Sequence, residues 1–172
     1  MSLYRPLIQA KIMKNKLVLS LGSNLGNRYT YLLQAIASID TSFDTKSTVA
    51  HFYETPPWGD VYQSQFINTA VSLYTDIPAA KCLTLLQYIE DSIGRTKTRK
   101  WGPRCIDIDI IFYGDKFLKI KDLSIPHLRM HERAFVIKPI TDLSPDFIHP
   151  TLNKNMTQLL SEIADDTILF AL

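Results

Sequence analysis

A mainly antiparallel α+β sandwich is the fold class that this chain of 172 residues predicts. Three observations lead there. Strand-like and helix-like stretches follow one another in the order βαββαβ, which suggests an antiparallel sheet with helices packed against it. Two stretches carry apolar residues at helical spacing, Leu32, Ala35, Ile36 and Ile39 in the first and Cys82, Leu85, Leu86, Ile89 and Ile93 in the second. Residues 106–110 read Ile-Asp-Ile-Asp-Ile, the alternation of a strand with one apolar and one acidic face.

Taken in order, residues 17–21 form a buried strand, followed by the turn Gly22-Ser23-Asn24-Leu25-Gly26-Asn27. Asn27 is placed to cap a helix over 28–39. Residues 48–53 make a second strand, and 54–65 a long loop opened by Pro56-Pro57. Loops of that length in a compact domain are often functional. Residues 66–74 are a third strand. Asp76 is expected to cap the second helix, with Pro78 in its first turn and Gly94 at its end. A basic stretch with Arg95, Lys97, Arg99, Lys100 and Arg104 leads into a strand over 106–113. Gly114-Asp115 turns into a short strand over 116–120. A helix over 132–137 is expected to stop before Pro139, and 157–163 is a final short helix. This order matches a ferredoxin-like α/β sandwich with long active-site loops.

The composition, 46% hydrophobic and 21% charged, is that of one compact domain. That domain is assigned to residues 13–172, because Met13-Lys14-Asn15-Lys16 reads as a natural start. Residues 1–12 are read as a leader or an artificial extension. No apolar run reaches the length of a membrane span and no signal peptide is visible, so a cytoplasmic protein without membrane partner is expected, and a monomer. Cys82 and Cys105 have no metal-type spacing and are read as reduced packing residues. A net charge of +2 is too small for general nucleic-acid binding, which weighs against a single-strand binder built on the basic loop and its aromatics. The basic cluster is local and points to a local anionic ligand.

Asp107 and Asp109 share one strand face, with side chains roughly 7 Å apart. Paired Mg²⁺ ions in phosphoryl-transfer sites lie about 4 Å from each other, so two such carboxylates can hold a pair. Carboxylates for metal beside arginine and lysine for phosphate is what chemistry on a nucleoside triphosphate requires.

Four motifs in order resemble the 6-hydroxymethyl-7,8-dihydropterin pyrophosphokinase family of the folate pathway. They are Gly22-Ser23-Asn24-Leu25; Tyr53-Glu54-Thr55-Pro56-Pro57; Trp101-Gly102-Pro103-Arg104 with Asp107-x-Asp109; and Pro126-His127 with Arg133-x-Phe135. The likeness covers residues 17–150. It implies the sandwich fold reached above, and transfer of a pyrophosphoryl group from MgATP to the pterin hydroxymethyl oxygen with release of AMP. By resemblance, Asp107 and Asp109 hold two Mg²⁺ ions, and Arg95 and Arg104 assist catalysis. Glu90, Lys97, Trp101, Ile110, His127 and Arg133 look like ATP contacts, and Thr55, Pro56, Trp58, Phe66, Asn68 and Phe135 like the pterin pocket. Lys97 stands where the family often has arginine, which loses the bidentate fork. A non-catalytic nucleotide sensor on the same scaffold is the rival; the intact carboxylate pair together with a pterin pocket argues against it. The chain ends soon after the resemblance does, so no second folate enzyme is expected on it.

Overall fold

The computed structural model describes residues 14–57, 62–96, 102–163 and 170–172. Five strands lie in the order β5 (Asp107–Tyr113), β1 (Asn15–Ser23), β4 (Phe66–Thr75), β3 (Tyr53–Thr55), β8 (Phe170–Ala171), and β2 (Thr48–Val49) also pairs with β4. Every pairing in this sheet is antiparallel, as predicted. A separate hairpin joins β6 (Leu118–Ile120) to β7 (Leu123–Ile125).

Helices cover both faces. On one lie α1 (Arg28–Ser42) and α2 (Ala79–Ile93). Leu17, Leu19 and Leu21 of β1, all fully buried, meet Leu32, Ala35 and Ile39 of α1 and Cys82, Leu86 and Ile89 of α2. Asn27 caps α1 as expected, its side chain accepting from the Thr30 N–H at 3.2 Å. Gly94 closes α2 at φ 104°, a conformation that costs a residue without Cβ little. On the other face, α3 (Ala134–Leu143) and α4 (Met156–Glu162) set Val136, Ile137, Ile140, Met156 and Leu159 against Val18, Ala70, Ile111 and Phe112.

A bulge separates the two halves of β5. Leu19 pairs with Ile110 but Val18 with Phe112, so Ile111 has no partner of its own on β1. Extra residues of this kind shift the alternation of side chains by one. Ile108 and Ile110 therefore join the α1/α2 core, whereas Ile111 and Phe112 both enter the α3/α4 core. The same sheet face that carries the aspartates at one end of β5 is thereby plugged by large apolar side chains at the other.

Several elements differ from the sequence expectation. The single strand over 48–53 is two short strands, β2 and β3, both laid on β4, and Glu54 and Thr55 belong to β3 rather than to the loop. Asp76 does not cap α2: Pro78 holds that position without a side-chain hydrogen bond, after a turn in which Thr75 Oγ1 accepts from the Ile77 N–H. Helix α3 does not stop at Pro139 but runs through it to Leu143. Proline forfeits one intrahelical hydrogen bond there, and the burial of Val136, Ile137, Pro139 and Ile140 on the sheet outweighs that loss. Strands β7 and β8 were not anticipated. Among the described residues no helix is long and apolar enough to cross a membrane.

Phe112 is 1% exposed, with its ring 4.7 Å from that of Phe147 and 5.5 Å from that of His149. Phe112→Ala should cost about 3–5 kcal/mol, read as a lower urea midpoint at unchanged slope. A loss below about 1 kcal/mol would contradict the packing described for the bulged half of β5.

Candidate active site

Strand register builds the site. Asp107 stands opposite Gly22, which stands opposite Asn68; one step inward, Asp109 stands opposite Ser20. Side chains at these positions project from one face of three neighbouring strands. Gly22 is where a side chain would do harm, because a Cβ there would lie 2.8 Å from Asn68 Oδ1. The bare backbone lets the Asn68 amide lie across β1. Asn68 is 3% exposed, and its Nδ2 donates to Thr55 Oγ1 at 2.8 Å. One amide hydrogen is thus engaged and Oδ1 is held over Gly22.

These residues open into a pocket of about 350 Å³. It is lined by the charged and titratable Asp107, Asp109, Arg95, Arg104, His127 and Arg133 and by Thr55, Pro56, Phe66, Asn68, Phe135 and Val136, and the two groups meet where the Arg133 guanidinium lies 5.8 Å from the Phe135 ring centroid. The lining comes from distant parts of the chain: neighbouring strands β5, β1, β4 and β3 supply one sheet face, and α3 adds Phe135 and Val136.

The charges are closely paired. Arg95 Nη2 lies 2.8 Å from Asp107 Oδ1, and Arg104 Nη1 donates to Asp107 Oδ2 at 2.7 Å. Burial, and next the neighbouring Asp107 charge, push the Asp109 carboxyl up, with Arg133 and Arg104 pulling the other way. Two adjacent carboxylates, one of them disfavoured as an anion, are an arrangement that a cation relieves. His127 is lowered by burial and by Arg133, so it is neutral at physiological pH. Its backbone N–H donates to Ile111 O at 3.1 Å, which ties the segment after β7 to β5.

Among the described residues no cluster of three or more His, Cys, Asp or Glu side chains could hold a metal. Mg²⁺ does not need one. It commonly takes one or two carboxylates and completes its shell with water and substrate phosphate oxygens. The hard oxygens of Asp107 and Asp109, on one face beside three arginines, fit that ion.

Eleven of the sixteen residues expected at the site line this pocket: Arg95, Arg104, Asp107, Asp109, His127, Arg133, Thr55, Pro56, Phe66, Asn68 and Phe135. Glu90 and Ile110 do not. Ile110 is 3% exposed and points into the α1/α2 core. Glu90, 6% exposed, accepts from the Ile108 N–H at 2.6 Å and from Arg95, so it braces the start of β5 and the arginine that reaches Asp107. Burial raises its carboxyl to about 7 against the pull of Arg95. Trp58, Lys97 and Trp101 lie outside the described residues.

Ser20, Gly22, Gln63 and Val136 line the pocket without having been singled out as contacts. Asn24 is a further organiser. Its Oδ1 accepts from the Arg104 N–H at 2.8 Å, and its Nδ2 donates to Gln63 Oε1 at 3.0 Å and Ser64 O at 3.3 Å. One buried amide thus joins the segment before β4 to the segment before β5. Its place in the Gly22-Ser23-Asn24-Leu25 motif was the available signal.

Known proteins place the chain. The sequence pattern of the family described as 7,8-dihydro-6-hydroxymethylpterin-pyrophosphokinase (HPPK) matches residues 18–145. A Bacillus subtilis protein named 2-amino-4-hydroxy-6-hydroxymethyldihydropteridine pyrophosphokinase is 40% identical over 132 residues, 76% of this chain and 79% of its own length. The Haemophilus influenzae protein of that name is 34% identical over 152 residues, 88% of this chain and 94% of its own. A folic acid synthesis protein, fol1, of Pneumocystis carinii is 39% identical over 150 residues, yet this chain spans only 20% of that protein's length. Among solved structures, a Plasmodium falciparum HPPK-DHPS triple mutant with STZ-DHP shares the fold at a TM-score of 0.67 and 18% identity, over 92% of this chain and 45% of that one. The matched segment contains the acid pair, the arginines and the Asn68 slot, and the chain belongs to the 7,8-dihydro-6-hydroxymethylpterin-pyrophosphokinase family.

Proposed function

We propose that this chain transfers a pyrophosphoryl group from ATP to the hydroxymethyl oxygen of 6-hydroxymethyl-7,8-dihydropterin and releases AMP, a step of folate synthesis. The observation that carries this reading is that one pocket joins a carboxylate pair and its arginines to two phenylalanine rings and the Asn68 amide, which donates to Thr55. Asp107 and Asp109 would hold Mg²⁺, two ions on this reading, which when bound offset triphosphate charge and lower the pKa of the attacking alcohol.

The chain's own groups bind and orient. Arg95, Arg104 and Arg133 give the charged end guanidinium forks suited to phosphate oxygens. Neutral His127 adds a polar contact without adding charge. Phe66 and Phe135 offer faces to a flat bicyclic ring. Asn68 Oδ1, free of side chain at Gly22, accepts from the donor edge of such a ring. Glu90 serves ATP through Arg95, whose guanidinium it orients. By resemblance, Lys97 and Trp101 are assigned to ATP and Trp58 to the pterin. Phosphoryl transfer depends chiefly on alignment and charge neutralisation, and these groups supply both.

Chromatography of the nucleotide products tests the reading. AMP should appear in step with loss of the pterin; ADP accumulating instead would contradict it. Asp107→Ala and Asp109→Ala should each lower kcat by at least ~10³-fold while the far-UV spectrum and Tm stay near those of the parent, since both side chains face the pocket rather than the core. Near-normal turnover of either variant at saturating Mg²⁺ would defeat the metal assignment.

A further inference from the structure

Beside the pocket, but not lining it, four polar side chains meet between α3 and β3. Lys138 and Asp142 stand one helical turn apart, and Lys138 Nζ donates to Asp142 Oδ1 at 2.6 Å. The Tyr53 hydroxyl donates to Asp142 Oδ2 at 2.7 Å and accepts from Lys138 Nζ at 2.8 Å. Three groups therefore close a ring of hydrogen bonds from helix to strand. Tyr53 is 4% exposed, and the Lys138 ammonium lies 4.9 Å from its ring centroid. The fourth group, His51, reaches Asp142 Oδ2 with Nδ1 at 3.2 Å from a side chain that is 73% exposed.

The ring is charged at neutral pH. Burial raises Asp142, but the hydrogen bonds from Lys138, Tyr53 and His51 outweigh it and hold the carboxyl below its ordinary value. Burial lowers Lys138, and its bonds to Asp142 and Tyr53 more than reverse this. Apolar contacts alone already hold α3 on the sheet through Val136, Ile137 and Ile140. A partly buried ion pair adds little to such a contact in stability; its directional bonds fix distance and rotation instead.

What is fixed follows from the neighbours. Tyr53 precedes Thr55 by two residues on β3, so both side chains share a face. Lys138 follows Phe135 by three residues on α3 and shares its side of the helix. Thr55, which accepts from Asn68, lines the pocket from β3, and Phe135 lines it from α3. We propose that Lys138 and Asp142, acting through Tyr53, are positioning residues for the flat substrate: they set the spacing of Phe135 against the Thr55–Asn68 pair. This rests on reading the pocket as a pterin site.

The test uses Tyr53→Phe, Lys138→Met and Lys138→Arg in the full chain, with KM for the pterin, KM for ATP, kcat and Tm measured for each. In Tyr53→Phe and Lys138→Met the pterin KM should rise roughly ten-fold, with the ATP KM within about two-fold of the parent. Lys138→Arg keeps the charge and the donors and should return the pterin KM to within about three-fold. A pterin KM that does not move, or two KM values that rise together as general loosening would make them, overturns the proposal. Tyr53→Phe removes one oxygen and keeps the ring, so it decides alone if Lys138→Met does not fold. Insensitive variants of a chain that turns over the pterin overturn the positioning role only; a parent chain that does not turn over the pterin overturns the pocket reading and this proposal with it.

Discussion

The site depends on the register of the strand that runs through its middle. β1 is hydrogen-bonded on both sides, so its pairing sets which residue of β5 meets which residue of β4. With Gly22 opposite both Asp107 and Asn68, the acid end and the amide end of the pocket become neighbours across one glycine. A slip of one residue would turn every side chain of a strand to the other face and bury the aspartates among leucines. The fully buried Leu17, Leu19 and Leu21 oppose such a slip, because each would have to leave the α1/α2 core. The apolar stripe that stabilises the fold and the polar face that makes the site are thus two sides of the same strand.

On β5 the same economy needs the bulge. Asp107 and Asp109 face the pocket, and a strand with unbroken alternation would then send Ile111 to that face and Phe112 to the α1/α2 side. The extra residue instead sends both into the α3/α4 core. The charged end is balanced locally: Asp107 is held by two arginines, Glu90 braces one of them, and His127 stays neutral. Strong positive groups are thereby concentrated around a carboxylate pair, within a pocket walled by backbone and aromatic surface.

Much of this was legible in the sequence where one short segment carries the signal. The alternation at 106–110 showed that the two aspartates share a face, and the spaced leucines and isoleucines of α1 and α2 showed which sides of those helices are buried. Signals spread over distant segments were harder to read. Pro139 argued locally for a helix end, and only the buried face of α3 on the sheet overrules it. The role of Gly22 is invisible without Asn68, 46 residues away in sequence but adjacent in register. Lys138 and Asp142 are visible as an i,i+4 pair of opposite charge, a pattern that is usually a solvated helix surface. Their third member, Tyr53, arrives from |i−j| = 85, so the ring exists only in the folded chain. Ile110 shows the converse: its neighbour Asp109 faces the pocket, and alternation turns its own side chain into the core.

The most direct measurement of the central claim is the affinity of Gly22→Ala for 6-hydroxymethyl-7,8-dihydropterin, by calorimetry with a non-hydrolysable ATP analogue and Mg²⁺ present. The added methyl meets the movable end of the Asn68 side chain, so the amide rotates away and the fold survives. The account expects an unchanged far-UV spectrum, affinity for the nucleotide analogue within about two-fold of the parent, and pterin affinity weakened by roughly ten-fold or more, the cost of a lost buried hydrogen bond. Pterin affinity equal to that of the parent, in a folded Gly22→Ala chain, would contradict the claim that this glycine holds the Asn68 amide in the substrate's place.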